Sequence, residues 1–124
     1  MRRSVTLLLL AAALAGGPAL AAVSAPSPLD GAFGNTIVST YPDGRKAELW
    51  LEPGGAYTAK GRRGDSSSGT WKLKGAKLCL SQQHPFAAPF SFCTPVPTGP
   101  AGSTWIAKAV TGETVQVSIL TGHG

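Results

Sequence analysis

The amino-acid sequence predicts an all-β protein, a small antiparallel up-and-down β-barrel of about seven or eight short strands. Glycine and proline, 16 and 10 of the 124 residues, interrupt the chain too often for a long helix. The segments between them alternate apolar and polar residues, as half-buried strands do. They recur about every eight to twelve residues, a spacing typical of barrels and sandwiches. Because closing the sheet removes exposed strand edges, we favour the barrel and keep a two-sheet β-sandwich as the alternative.

Residues 1–22 have the organisation of a secretory signal peptide. The basic start "MRRSVT" precedes an apolar run over Val5–Ala15 and a small-residue segment over Ala19–Ala21, which fits the A-x-A cleavage pattern. The apolar run is about half as long as the roughly 20 residues that a membrane-spanning helix needs. We therefore expect an exported protein, periplasmic or extracellular, that is soluble after cleavage and has no membrane span.

The remaining chain is long enough for one domain. We expect a flexible leader at 23–33 and a single β-barrel domain at 34–124, since about 100 residues suffice for one compact core. Outside the signal peptide, nine Lys and Arg stand against six Asp and Glu, a net charge of +3. This charge is too low for a dedicated nucleic-acid-binding protein. We expect no nucleic-acid partner, and we take the protein to be a monomer.

The predicted strands follow one another with a turn signal between most of them. Ala47, Leu49 and Leu51 share one face of their segment, and Val115, Val117 and Ile119 share one face of the last. In order, the predicted strands are Thr36–Tyr41, Lys46–Leu51, Ala56–Lys60, Gly69–Leu73, Lys77–Leu80, Ser91–Thr94, Ser103–Val110 and Thr114–Leu120.

Cys79 and Cys93 are the two cysteines of the chain. Cysteines of an exported protein normally form a disulfide, and closing a loop of about fifteen residues stabilises a fold by about 3 kcal/mol. The alternative is a redox-active pair, but a C-x-x-C spacing and a helix N-terminus to lower a thiol pKa are missing. We predict a structural disulfide.

The segment between the cysteines carries aromatic residues among prolines. Phe86 and Phe90 alternate with Pro85 and Pro89, and His84 precedes them. Prolines restrict the backbone, so the rings are presented at low entropic cost. The segment either closes one end of the barrel or forms the apolar lip of a ligand pocket, since barrel mouths are common binding sites. Phe86, Phe90 and His84 are therefore candidate ligand-binding residues.

A second candidate site is the basic loop "KGRRGD". Lys60, Arg62 and Arg63 lie together between two strands, and paired arginines suit phosphate or carboxylate groups. The next hairpin adds three lysines, Lys72, Lys74 and Lys77. If the two hairpins form one basic surface, an anionic small molecule or envelope lipid is a plausible partner. The alternative is a solvated loop.

The sequence contains few residues that could form a catalytic or metal-binding site. His84 is the one plausible general base, because His123 lies in a terminal tail that we expect to be frayed, and no carboxylate stands near His84 in the sequence. No G-x-S-x-G motif occurs, and a metal site needs three or four clustered ligands. We predict no enzymatic activity, no catalytic residue, no metal and no cofactor.

Four segments carry a resemblance to a known group of proteins. The order "FGNTI", "YPDGRKAELWLEPGGAYTAKG", "SSGTWKLKGAKLCL" and "FSFC" resembles small exported bacterial lipocalin-like domains of unassigned function. The resemblance covers Phe33 to Cys93 and implies a β-barrel in which Gly69 and Trp71 are structural. It implies no ligand.

One loop resembles a second family. The stretch "PGGAYTAKG" is similar to the Ser-Gly-x-x-Tyr loop of periplasmic lysozyme inhibitors, with Pro53 and Gly54 in place of the Ser-Gly pair. This resemblance implies that Tyr57 contacts a protein partner. A basic surface, however, repels the many lysozymes that are themselves basic.

Together these observations predict an exported, non-enzymatic binding module. Its ligand is either an apolar molecule at the barrel mouth or an anionic envelope component on the basic loops. One alternative is a protein inhibitor of a cell-wall hydrolase, which an exposed Tyr57 on a protruding hairpin would favour. Another is a structural envelope domain without a small ligand. A cavity beneath Phe86 and Phe90 would favour ligand binding.

Overall fold

Eight antiparallel strands form the protein, as a computed structural model shows for residues 27–123. The predicted signal peptide and the first four residues of the predicted leader lie outside the described residues. Residues 27–123 contain no helix long and apolar enough to cross a membrane. The strands are β1 (Thr36–Thr40), β2 (Lys46–Leu51), β3 (Ala56–Lys60), β4 (Ser66–Lys74), β5 (Lys77–His84), β6 (Phe92–Pro95), β7 (Thr104–Lys108) and β8 (Thr114–Leu120).

The strands make one sheet that curls into a nearly closed barrel, so the predicted fold class is confirmed. Their order is β6-β5-β4-β3-β2-β1-β8-β7, in which consecutive strands are hairpin neighbours except at the β6–β7 connection. The first and last strands, β1 and β8, pair with each other inside the sheet, with Ile37 opposite Ile119. The two end strands, β6 and β7, are in contact at the seam of the barrel but are not hydrogen-bonded to each other.

One face of every strand points into the barrel, as the alternation predicted. Across the sheet, Ile37 is opposite Leu49, and Leu49 is opposite Ala59. Trp71 is opposite Leu80 on the other side of the barrel. The buried core cluster consists of Leu29, Ala32, Ile37, Leu51, Tyr57, Leu78, Val115 and Val117.

The residues before β1 close one end of the barrel, where we expected a flexible leader at 23–33. Leu29 is 0% exposed and Ala32 is buried beside it. The turn is held by hydrogen bonds from the Ala32 and Phe33 amides to the Leu29 carbonyl oxygen, 2.8 and 3.1 Å long. The Phe33 and Trp71 ring centres lie 5.9 Å apart, with the rings tilted by 38°. The apolar side chains fill a barrel end that the strands leave open, so this part of the leader packs as part of the core.

The C-terminal tail is also ordered against the barrel, where we expected fraying. The His123 ring lies 4.8 Å from the Trp50 ring on the outer face. The Gly122 amide donates to Asn35 Oδ1 at 2.9 Å, and the Gly122 carbonyl oxygen accepts from Thr36 Oγ1 at 2.7 Å. The tail therefore covers Trp50 and the start of β1.

Strands β4 and β5 are longer than the sequence predicted. Strand β4 begins at Ser66, where we expected a loop up to Ser68, and β5 continues to His84. Serine and glutamine have weak strand preferences, so neighbouring strands supply the pairing that extends these two. A bulge separates Ser68 from Gly69, and a Cβ atom at Gly69 would clash with the Ser81 carbonyl oxygen.

The predicted disulfide is confirmed. Cys79 of β5 lies directly opposite Cys93 of β6, and their sulfur atoms are bonded at 2.05 Å. Both face away from Leu78 and Leu80, which point inward. The bond fastens β6, a four-residue edge strand, to its one hydrogen-bonded neighbour.

Candidate functional site

The barrel encloses a cavity of about 500 Å³. It extends to the end opposite Leu29, which we call the mouth. Four connections surround the mouth: the turns at 41–45, 61–65 and 109–113 and the segment at 85–91. A volume of this size lies within the range of about 300–1,000 Å³ that is typical of small-molecule sites.

The cavity wall is mainly apolar because it is the inner face of the barrel. Ile37, Leu49, Leu80, Phe92, Trp105 and Val117 line it. A few polar groups interrupt this wall, among them Ser39, Ser67, Gln82 and Thr94. A wall of this kind favours an apolar ligand, with the polar groups able to orient it.

Tyr57 places a hydroxyl group inside this wall. The residue is 5% exposed and lies opposite Gly69 of β4. Its hydroxyl forms no hydrogen bond with any residue of the 27–123 segment, and burial raises its pKa. A ligand that offers a hydrogen-bonding atom can pair with this hydroxyl.

The segment at 85–91 borders the mouth without filling the cavity. Phe86 and Phe90 are 64% and 68% exposed and line the opening. Gln82 Nε2 donates to the Phe86 carbonyl oxygen at 3.2 Å, and the Ala88 amide donates to the Gln82 carbonyl oxygen at 3.0 Å. At its base, the Ser81 and Ser91 hydroxyls are 2.7 Å apart. These contacts shape the segment as a lip.

His84 does not join this lip. It lies opposite Ser68 at the bulge, is exposed, and is absent from the cavity wall. The bulge skips Gln83 in the pairing and turns His84 to the outer face, whereas Gln82 continues the inward alternation of Leu78 and Leu80. Sequence spacing alone does not reveal this bulge.

Arg62 is engaged by groups of its own protein. Its Nη2 lies 3.0 Å from Glu113 Oε1, its Nη1 lies 3.8 Å from Asp43 Oδ2, and its guanidinium carbon lies 4.2 Å from the Tyr41 ring centre. The hydrogen bond with Glu113 raises the pKa of Arg62. The pKa of Glu113 is lowered, first by the Thr111 hydroxyl and then by Arg62. Arg62 therefore ties three mouth turns together.

The structure does not bring the two basic hairpins into one loop cluster. Lys60, Arg62 and Arg63 border the mouth, whereas Lys74 and Lys77 flank the turn at the other end of β4. Hairpins that share a strand have their turns at opposite ends of it. The eight steps from Ser66 to Lys74 span about 26 Å at roughly 3.3 Å per residue.

Sequence reasoning missed several residues of the cavity wall. Trp105 and Ala107 line the cavity, and Tyr41 and Gln82 lie toward its mouth. The alternation of β7 was a signal for Trp105 and Ala107, but their role in a cavity depends on the barrel being incompletely filled. For Gln82 the signal was its alternation with Leu78 and Leu80, but the strand was predicted to end at Leu80.

Within residues 27–123, no group of three or more His, Cys, Asp and Glu side chains is placed to hold a metal ion. The chain matches no protein-family model, and comparison with curated proteins and with solved structures gives no match either. The barrel and its disulfide agree with both resemblances noted in the sequence, but the comparisons support neither family.

Proposed function

We propose that this protein is an exported, non-enzymatic binding module that holds a small, largely apolar molecule in the barrel cavity. The observation that carries the proposal is the cavity of about 500 Å³, with its apolar wall and its mouth beneath Phe86 and Phe90. Burying an apolar ligand there yields about 25 cal/mol for each Å² removed from water. The disulfide supports an oxidising compartment, in which such bonds persist.

The cavity also restricts the polarity of the ligand. Tyr57 offers one hydroxyl without a partner among the described residues, surrounded by apolar side chains. Because a site with a buried polar group discriminates in favour of a ligand that pairs with it, we expect an apolar molecule with a hydroxyl, carbonyl or similar group. That group would lie at the level of Tyr57.

The alternatives receive less support from the same geometry. An anionic envelope component is less well supported because Arg62 is already paired with Glu113 and Asp43. Lys60 and Arg63 are then the two cations of the basic loop that could bind it. For a hydrolase inhibitor, Tyr57 lies inside the barrel and is not presented to a protein partner. A purely structural envelope domain would leave the apolar cavity of about 500 Å³ without a role.

The first experiment is native mass spectrometry of the protein purified from its own host, followed by titration with N-phenyl-1-naphthylamine, an apolar fluorescent probe. Trp105 lines the cavity, whereas Trp50 lies on the outer face. We expect saturable binding of one probe per chain with transfer of tryptophan fluorescence to it. Trp105→Phe should lower that transfer more than Trp50→Phe does, because Trp105 would contact the bound probe.

A blocked cavity provides the decisive control. Ala59 points into the cavity and Ala56, on the same strand, points outward. Ala59→Phe should abolish probe binding, whereas Ala56→Phe should retain it. Equal binding by both variants, with both folded by circular dichroism, would place the probe outside the barrel and contradict the proposal.

A further inference from the structure

Three large apolar side chains at the mouth are mostly in water. Phe86 and Phe90 are 64% and 68% exposed, and Val110 of the β7–β8 turn is 64% exposed. All three line the opening of the same cavity. Exposed apolar groups that cluster around one opening, and are not scattered singly, mark an interaction surface.

The aromatic part of this surface is already ordered in the free protein. Gln82 holds the Phe86 carbonyl oxygen, the Ser81 and Ser91 hydroxyls join the base of the segment, and Pro85 and Pro89 restrict its backbone. Docking therefore does not need to order the segment first, which lowers the entropic cost of association.

Four cations, which we call the cationic ring, border the mouth at β2, β3, the β3–β4 turn and β7. Each of its members is exposed, stands at a strand end or turn bordering the mouth, and forms no ion pair with the described part of the chain. The ring consists of Lys46, Lys60, Arg63 and Lys108.

Arg62 engages two of the four acidic groups at the mouth, Asp43 and Glu113. The other two, Asp65 and Glu48, form no ion pair among residues 27–123, and Glu48 lies opposite Lys60. Six basic side chains border the mouth and still exceed these four acids: Arg45, Lys46, Lys60, Arg62, Arg63 and Lys108. The mouth therefore combines an apolar tip with a cationic rim. Such a combination matches a lipid surface with anionic headgroups.

We propose that the mouth docks onto an anionic lipid bilayer. Phe86, Phe90 and Val110 enter the boundary between headgroups and acyl chains, and the cationic ring lies against the lipid phosphates. The cavity opening then faces the bilayer, so an apolar ligand passes between membrane and barrel without crossing water. Docking itself requires no ligand, so this proposal stands apart from the proposed function.

The test is co-sedimentation of the protein with vesicles of mixed phosphatidylglycerol and phosphatidylcholine, compared with phosphatidylcholine alone. We expect partition onto the anionic vesicles only, and weakening with added salt because the headgroup attraction is screened. Lys46→Gln/Arg63→Gln should lower partition by about fivefold for each charge removed. Phe86→Ser/Phe90→Ser should lower it as well.

Lys72→Gln/Lys74→Gln is the matched control, since both lysines are exposed on the outer face of β4, away from the mouth. Its partition should stay near that of the wild-type protein. If Lys72→Gln/Lys74→Gln lowered partition as much as Lys46→Gln/Arg63→Gln does, the attraction would depend on overall charge alone. That result would overturn the proposal. Absence of binding to anionic vesicles would overturn it too, and would leave a protein as the partner of this surface.

Phe90→Trp gives a second measurement that does not depend on losing an interaction. Bromine-labelled acyl chains should quench the fluorescence of this tryptophan beyond the quenching of the wild-type protein. No added quenching would overturn the proposal.

Because Lys46 and Arg63 are not part of the cavity wall, Lys46→Gln/Arg63→Gln should bind the apolar probe normally, which separates failure of docking from failure of ligand binding.

Discussion

Arg62 in the β3–β4 turn forms an ion pair with Glu113 in the β7–β8 turn, with Nη2 and Oε1 3.0 Å apart. The guanidinium also lies over the Tyr41 ring and near Asp43 of the β1–β2 turn. Three of the four connections around the mouth are thus joined by one side chain. The shape of the mouth on this side depends on that contact.

Arg62→Ala should lower the thermal unfolding midpoint more than Arg63→Ala. Arg62 is partly buried and paired, whereas the neighbouring Arg63 is exposed and has no ion pair with the described residues. The difference between the two variants should shrink with added salt, because exposed ion pairs are screened. Calorimetry of both variants and of Arg62→Ala/Glu113→Ala measures the interaction energy between Arg62 and Glu113. Equal midpoints for Arg62→Ala and Arg63→Ala would refute a stabilising role for this ion pair.

The same contact predicts a pH dependence. Hydrogen bonds from Thr111 and Arg62 lower the pKa of Glu113 below its ordinary value of about 4.5, so the unfolded chain takes up this proton at higher pH than the folded protein. The stabilisation is therefore complete above the ordinary value and is lost as pH falls through the lowered pKa. We expect the wild-type protein to melt at a higher temperature than Glu113→Gln at neutral pH. This difference in melting temperature should disappear in acid. A constant difference would show that Glu113 acts through packing alone.

Tyr57→Phe should separate stability from ligand recognition. Removing a buried hydroxyl that has no hydrogen-bond partner among residues 27–123 should leave the free energy of unfolding unchanged or raise it by up to about 1 kcal/mol. A long-chain alcohol should bind about two- to tenfold more weakly, the value of one hydrogen bond, whereas a matched alkane should bind equally. Displacement of the apolar probe measures both, and equal loss for the two ligands would mean that Tyr57 contributes only shape.

Loss of the disulfide should destabilise the fold without changing its architecture. Cys79→Ala/Cys93→Ala should lower the free energy of unfolding in urea by about 3 kcal/mol, since edge strand β6 then keeps only its pairing with β5. Reduction of the wild-type protein should bring it to the same stability, and reductant should not affect the double variant. Two titratable thiols in the native protein would contradict the bond itself.

Local sequence patterns were sufficient for much of the fold. Strand β8 was predicted with its observed bounds, because Val115, Val117 and Ile119 alternate with polar residues between clear turns. The disulfide followed from two cysteines in a chain with an export signal. Strands β4 and β5 were underestimated, since Ser66–Ser68 and Ser81–His84 gain their strand character from neighbours that pair with them.

The candidate site was only partly predictable. Phe86 and Phe90 were identified as a lip because prolines next to aromatic residues are a local signal. Arg62 was interpreted as an anion-binding residue because its partner Glu113 lies 51 positions away. Tyr57 was interpreted as a surface contact because a five-residue strand does not show which of its faces points inward.

Alternation and turn residues are local properties, and they were enough for an antiparallel barrel of short strands stapled at Cys79 and Cys93. Three features required the curled sheet: the burial of Leu29 at one end, the burial of Tyr57 inside, and the Arg62–Glu113 contact at the mouth. Each depends on residues that are far apart in the chain or on different strands. The pairing of β1 with β8 places the last hairpin beside the first, and this brings the β7–β8 turn to the β1–β2 and β3–β4 turns.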